Sequence, residues 1–194
     1  MKIVSISFLS CAMGVMAVAG DAPKAEAVLK SYQKNFVKMT EKPHMVNAAI
    51  FMLCSRMPAA NLEKMLKEDF GPHFLTNVDI FVDEKGAVEL KKEIKALPVG
   101  TVIVKKKTKT EYFTSRLVSV EGVDGVGGMI KREAGYDPEN GNWEYFYSDE
   151  DGNVTSGKME NCIKCHQKAA ETDYVFGTWL KPILKKEAGE TKKQ

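Results

Sequence analysis

The sequence has almost no net charge, because its 28 lysines and arginines are nearly matched by 26 aspartates and glutamates. The two signs are interspersed, so no basic face for a nucleic-acid backbone is predicted. No Pro/Ser-rich linker and no internal repeat divides residues 20–194, which suffice for one hydrophobic core. These absences argue against a nucleic-acid partner and against a multidomain chain.

Cysteine is also scarce. Beyond the N-terminal segment only Cys54, Cys162 and Cys165 remain, an odd number that a disulfide framework cannot use completely. Cys54 ends an apolar stretch that begins at Ala48, and we interpret it as a buried thiol that acts as a small hydrophobic side chain. The other two cysteines are therefore expected to serve a different purpose.

The N-terminus has the pattern of an export signal. Lys2 precedes an apolar run from Ile3 to Val18, and the run ends in an A-x-A cleavage site at Ala17–Ala19. A membrane-spanning helix needs roughly 20 apolar residues, whereas this chain turns charged at Asp21. The pattern predicts a signal peptide that is removed on export.

This interpretation predicts a signal peptide over residues 1–19, a mature domain over residues 20–194 and a periplasmic location. A lipoprotein is the alternative, because Phe8–Cys11 faintly resembles a lipoprotein cleavage box and would make Cys11 the lipidated first residue. The apolar run in front of Cys11 would then be very short, which disfavours lipid anchoring.

Hydrophobic periodicity predicts an α+β fold. Apolar residues at spacings of three and four predict a helix within Lys24–Met39 and a second from Asn61 to Gly71-Pro72, and helices return at Ala87–Ile94 and from Met159 onward. Alternating residues predict five strands, Val78–Val82, Thr101–Lys105, Tyr112–Val120, Gly127–Lys131 and Trp143–Tyr147, with a turn at Asp83–Gly86. Because strands and helices are grouped, we expect an antiparallel β-sheet core flanked by helices.

The sequence Cys162-Ile-Lys-Cys165-His166 is the c-type haem attachment pattern. Two thiols three positions apart on a helical turn can each add to one vinyl group of the porphyrin, and the next residue presents an imidazole to the iron. We therefore predict one covalent haem c on a C-terminal haem-binding helix, bound through Cys162 and Cys165, with His166 as the metal ligand.

Other interpretations of this motif are a chance match, a zinc site and a thioredoxin-type redox pair. Zinc would need His44 or His73 as a fourth ligand, and neither has ligand-like spacing. A thioredoxin-type pair belongs at the start of a helix in a βαβ unit, whereas this motif follows a series of strands. Haem attachment is therefore the favoured interpretation.

The residues around the motif resemble the cytochrome P-460 family. The resemblance rests on Cys162-x-x-Cys165-His166-x-x-Ala169 followed by Asp173-Tyr-Val-Phe176, and on three upstream blocks in the family's order: Leu97–Lys105, Met129–Arg132 with Gly135, and Asn142–Tyr145. Together these blocks cover roughly residues 72–179.

The resemblance implies a homodimer with one high-spin c-haem, open on its distal face to a small nitrogenous ligand or gas. The family's enzymes oxidise hydroxylamine, pass electrons to a redox partner cytochrome and carry a lysine cross-linked to the porphyrin; the matching position here is Lys105. Relatives called cytochrome c′-beta lack the cross-link and bind nitric oxide or carbon monoxide. A plain electron carrier, with protein ligands on both sides of the iron, is the third alternative.

Two features bear on the choice between these activities. From its neighbours alone, Lys105 is an ordinary solvent-facing lysine of a strand. The enzymes' distal carboxylate falls in the stretch that corresponds to Gly125–Ile130, which contains no acid here. Glu111 or Glu133 could replace that distal carboxylate from a nearby position, although the sequence pattern of each is also that of a surface carboxylate. Proton removal from hydroxylamine therefore lacks an obvious base.

The distal side of the predicted haem is less clearly marked. Phe74, Phe81 and Phe113 are candidates for an apolar pocket, although aromatic residues at strand spacing are ordinarily core. His44 and His73 are candidates for a sixth ligand, although both read as structural histidines. We therefore expect the sixth coordination position of the haem iron to be vacant.

Overall fold

A computed structural model describes residues 22–45, 77–92, 96–113, 116–180 and 184. In chain order the elements are α1 (Ala25–Asn35), β1 (Val37–Lys38), β2 (His44–Met45), β3 (Asn77–Val82), α2 (Glu84–Leu90), β4 (Val102–Phe113), β5 (Arg116–Lys131), β6 (Trp143–Ser148), β7 (Val154–Gly157) and α3 (Glu160–His166), with short 3-10 helices at Pro138–Asn140 and Gln167–Thr172. Within these ranges, no helix is both long and apolar enough to cross a membrane.

The strands form one antiparallel sheet in the order β1-β3-β4-β5-β6-β7, with β2 also paired to β3. From β3 to β7 each strand pairs with the next one along the chain, which makes a meander. The helices lie before, within and after this run of strands. The predicted α+β class and antiparallel sheet are confirmed.

The sheet has two apolar faces, because side chains alternate along each strand and paired residues share a face. One face, called the α1 face here, packs against α1 through Phe81, Val102, Val104, Ile130 and Phe146. The opposite face, called the α3 face, packs Val78, Ile80, Ile103, Met129 and Tyr145 near Cys162 and Ile163 of α3. Lys105 pairs with Ile80 and therefore belongs to the α3 face.

The predicted strand Tyr112–Val120 is wrong as a single element. Phe113 pairs with Arg116, so the segment is the end of a hairpin in which β4 stops and β5 begins. Between these paired residues the sequence has Thr114 and Ser115, so the Asn-Gly, Asp-Gly or Gly-containing pairs that mark two-residue hairpin loops are missing. From Arg116, β5 continues through the predicted strand Gly127–Lys131 as one element.

The other elements agree with the sequence except at their ends. The first helix lies inside the predicted range, but it ends at Asn35, so Val37 lies in β1 and is exposed. The predicted turn Asp83–Gly86 is instead the beginning of α2, which ends at Leu90. The signal peptide, Cys54 and the helix predicted from Asn61 lie outside the described residues.

Asp83 explains why a helix begins where a turn was expected. One carboxylate oxygen accepts a hydrogen bond from Gly86 N at 3.0 Å, and the other accepts from Val102 N at 2.7 Å, which ties the helix to β4. We expect Asp83→Ala to lower the free energy of unfolding by about 1–2 kcal/mol, because the helix loses its cap and Val102 loses its acceptor. Urea denaturation measures this loss. Asp83→Asn, which keeps one acceptor oxygen, should lose less, and equal stability of all three proteins would contradict the assignment.

Candidate haem site

Helix α3 carries the two cysteines of the motif. Cys162 and Cys165 lie one turn apart, and both are partly buried free thiols. Burial raises the pKa of the Cys162 thiol, while the nearby Lys105 charge partly offsets this effect. Both cysteines are therefore present as unpaired thiols on one side of a short helix.

His166 is the last residue of α3, and its ring is almost fully buried. Its Nδ1 atom lies 2.6 Å from the carbonyl oxygen of Tyr174. A carbonyl can only accept a hydrogen bond, so Nδ1 carries the proton and the lone pair of Nε2 is left for another partner. Burial and the Lys105 charge lower the pKa of His166 to about 3, so the imidazole is neutral, as a metal ligand must be.

Two aromatic rings hold this imidazole. The Tyr145 ring lies 5.1 Å away at 52°, and the Phe176 ring lies 5.2 Å away at 61°. Beside them is a cavity of about 200 Å³, whose lining includes Lys105, Gly127, Met129, Tyr145, Cys162 and His166. The Tyr145 hydroxyl is buried and has no hydrogen-bond partner within the described part of the chain. A buried hydroxyl without a protein partner in a cavity wall is available to a polar atom of a group bound there.

Lys105 lies in the same cavity. In the sheet it stands between Ile80 and Gly127, and the absence of a side chain at Gly127 leaves room beside it. The side chain is partly buried, and burial lowers the pKa of the amine, although the nearby cysteines act in the opposite direction. The interpretation of Lys105 as a solvent-facing lysine is therefore wrong, because the register of β4 directs it to the α3 face.

The sequence pattern of the cytochrome P460 family matches residues 63–177, more than half of the chain. The chain belongs to the cytochrome P460 family. It is therefore a c-type haem protein of that family. No curated protein matches the chain in sequence.

The donor set suits the haem that cytochrome P460 proteins bind. A neutral imidazole offers Nε2, two free thiols lie within one turn of it, and the cavity wall contains both apolar and polar groups. Within the described ranges, no three His, Cys, Asp or Glu side chains converge on a possible metal position, so the zinc alternative gains no support. The fit favours a haem over a metal ion held by several side chains.

The remaining predicted site residues fall elsewhere. Phe81 lies on the α1 face and packs edge-on against Tyr32 at 5.1 Å, so its assignment to a haem pocket is wrong. Glu133 is exposed and does not line the cavity. His44 Nε2 lies 3.4 Å from Thr178 Oγ1, and burial lowers the pKa of its ring. His73, Phe74 and the side chains of Phe113 and Glu111 lie outside the described residues.

The sequence interpretation missed the residues that surround the imidazole. Tyr145 and Phe176 stood in the family blocks, but nothing in their spacing indicated that both rings would contact His166. Tyr174 contributes only a backbone oxygen, which no side-chain pattern reveals. The only available signal was the placement of these residues in the blocks that resemble the family.

Proposed function

We propose that this protein is an exported cytochrome with one haem c, bonded to Cys162 and Cys165 and ligated by His166, and that it oxidises hydroxylamine or a similarly small nitrogen compound. The observation that carries the proposal is the position of Lys105, in one cavity with Cys162 and His166. When bound, haem supplies an iron centre that can take up a small nitrogen ligand and accept electrons.

Each residue has a distinct task in this proposal. The two thiols of α3 attach the porphyrin, and His166 presents Nε2 because its Nδ1 proton is donated to the Tyr174 carbonyl. Tyr145 and Phe176 restrict rotation of the imidazole. The Tyr145 hydroxyl is a hydrogen-bond donor for the group in the cavity, and its raised pKa keeps the phenol protonated.

Lys105 is proposed to be covalently bonded to the porphyrin, as in the enzymes of the family. The bond would replace one N–H bond of the neutral amine and one C–H bond of the porphyrin, releasing two protons and passing two electrons to a peroxide as oxidant; burial lowers the pKa of Lys105 toward that neutral amine. Gly127 leaves space for the amine to approach a flat group in the cavity. A covalent attachment at Lys105 would fix and distort the macrocycle beyond what two thioether bonds achieve.

Peptide mapping of the haem-containing protein tests this proposal. The expected result is a Lys105 peptide attached to the same haem as the peptide that contains Cys162 and Cys165, together with hydroxylamine oxidation in the presence of an artificial electron acceptor. A free Lys105 peptide without turnover would contradict the enzymatic function.

Binding of nitric oxide or carbon monoxide without turnover is the second candidate function. It is favoured by one observation: among the described residues, no carboxylate lines the cavity, so none is placed to remove a proton from a bound substrate. Gas binding and turnover both need a vacant sixth position. A low-spin, six-coordinate ferric spectrum would contradict both and would support an electron carrier instead.

His166→Ala tests the proximal ligand. The thioether bonds should remain, so the haem should stay with the polypeptide, while the absorption spectrum and the ligand affinity change because the iron loses its imidazole. His44→Ala is the matched control, since His44 is the other histidine of the described part and lies against Thr178. If His166→Ala leaves the spectrum unchanged, or His44→Ala shifts it instead, His166 is not the ligand.

Export, dimer formation and a redox partner cytochrome belong to the same proposal. Export is supported by the apolar N-terminal run and its A-x-A site, and it would place haem attachment outside the cytoplasm. N-terminal sequencing of the mature protein should begin at Gly20, whereas a lipidated Cys11 would contradict a soluble periplasmic form. Sedimentation of the purified protein tests the homodimer.

A further inference from the structure

The carbonyl oxygen that holds His166 belongs to an unusual stretch of backbone. Asp173 and Tyr174 are consecutive non-glycine residues in the left-handed region, with φ of 51° and 65°. Such residues persist only where surrounding contacts hold them. The stretch turns the chain back after the 3-10 helix Gln167–Thr172, so that the Tyr174 carbonyl faces Nδ1 of His166.

The contacts that hold this stretch converge on Asp173. Its carboxylate accepts hydrogen bonds from Lys131 Nζ at 2.6 and 2.8 Å and from Leu97 N at 2.7 Å. Its backbone carbonyl accepts from Trp143 Nε1 at 2.9 Å, and the Lys131 ammonium lies 4.9 Å from the centre of the Trp143 ring. Residues from β5, β6 and the segment before β4 therefore fix the aspartate that directly precedes Tyr174 in the chain.

Tyr174 itself is held at two further points. Its backbone N–H donates to Ala169 O at 2.8 Å, and its hydroxyl donates to Glu139 O at 3.0 Å. Neither contact replaces the Asp173 carboxylate, which is the only group in this set that connects the stretch to the sheet through a buried ion pair. The Lys131–Asp173 pair, together with the Trp143 hydrogen bond, therefore orients the Tyr174 carbonyl.

We propose that Asp173, fixed by Lys131, is a positioning residue that sets the donor strength of His166 through the Tyr174 carbonyl. The inference rests on the proposed role of His166 as the iron ligand. The Asp173 carboxylate does not touch the imidazole; it holds the backbone that accepts the Nδ1 proton. A well-aligned acceptor at Nδ1 raises the basicity of Nε2 and stabilises the ferric state.

The test uses the haem-containing protein with the double substitution Lys131→Met/Asp173→Asn, which removes both charges together and leaves neither one buried alone. Asparagine tolerates the left-handed conformation and keeps an acceptor for Leu97 N. The iron–histidine stretching frequency of the ferrous protein should fall. The ferric-to-ferrous equilibrium constant should shift toward ferrous by roughly tenfold, the lower end of the range for residues that support a metal ligand without binding the metal. For one electron this corresponds to a rise in the reduction potential of about 59 mV.

Arg132→Gln/Glu144→Gln is the matched control. This ion pair, at 2.6 Å, lies beside the first along the chain, but Arg132 also contacts Ala22 O next to α1, on the other side of the sheet. The iron–histidine stretching frequency and the reduction potential of the haem should not change in this variant. If Lys131→Met/Asp173→Asn does not accumulate as folded protein, Lys131→Gln/Asp173→Asn takes its place in the same measurements, because it also buries no charge and leaves two amides that can hydrogen-bond to each other.

The outcomes separate this inference from the proposed function. A folded variant whose iron–histidine frequency and potential match those of the unchanged protein overturns the positioning role, while His166 stays the ligand. The proposed function itself is overturned if the unsubstituted protein shows no iron–histidine stretch. It is also overturned if His166→Ala leaves the absorption spectrum unaffected. A purely structural role for the ion pair would lower the unfolding midpoint without moving the frequency, and that result also counts against the inference.

Discussion

Asp173→Ala is expected to lower the free energy of unfolding by about 3–5 kcal/mol, the loss that follows when one partner of a buried ion pair is removed. Lys131 and Asp173 side chains are only 11% and 7% exposed, so the remaining ammonium would stay out of water without a counter-charge. Leu97 N would lose its acceptor at the same time. Alanine is also poorly suited to a φ of 51°.

Denaturant unfolding of four proteins measures this effect: the unchanged chain, Asp173→Ala, Lys131→Met and Lys131→Met/Asp173→Asn. The double variant should be more stable than either single variant, because it buries no unpaired charge. Glu89→Gln is the control: it removes the exposed Lys92–Glu89 pair and should change stability by less than about 1 kcal/mol. If Asp173→Ala costs no more than Glu89→Gln, the Lys131–Asp173 pair does not stabilise the fold.

Lys105→Met is expected to abolish the proposed attachment of the β4 peptide to haem and to reduce the proposed hydroxylamine oxidation by roughly 10- to 100-fold, the range for groups that tune a metal without ligating it. Methionine retains an unbranched apolar stem but has no amine that can form a bond. The proposed thioether bonds to Cys162 and Cys165 would not involve β4, so the amount of haem per polypeptide should stay the same.

Two further variants isolate the role of the Lys105 amine. Lys106→Met removes the next lysine of β4, whose side chain points to the other face because strand residues alternate. Turnover should be unaffected. Lys105→Arg keeps a positive charge that cannot be lost to give a neutral nucleophile, so it should behave like Lys105→Met. Equal turnover of Lys105→Met and the unchanged protein would show that this amine takes no part in the reaction.

The features that could be predicted from the sequence are local. The motif Cys162-x-x-Cys165-His166 indicates a c-type haem protein within five residues, because one turn of helix brings the thiols and the imidazole together. The strands Val78–Val82 and Trp143–Tyr147 were recognisable because alternation has a period of two residues, which any strand with one buried face imposes. The end of β4 at Phe113 was missed because no Asn-Gly, Asp-Gly or glycine-containing pair stands between Phe113 and Arg116.

By itself, the sequence determined the α+β class, the antiparallel sheet and, through its resemblance to cytochrome P-460 proteins, the family. Only the tertiary structure decided that Lys105 shares a cavity with His166, that Tyr145 and Phe176 hold the imidazole, and that Lys131 pairs with Asp173. Lys131 and Asp173 are 42 residues apart, and Lys105 reaches the cavity through the register of β4 against β3 and β5. A one-residue slip would turn Lys105 to the other face, so its place in the cavity depends on strand pairing and not on its neighbours in the chain.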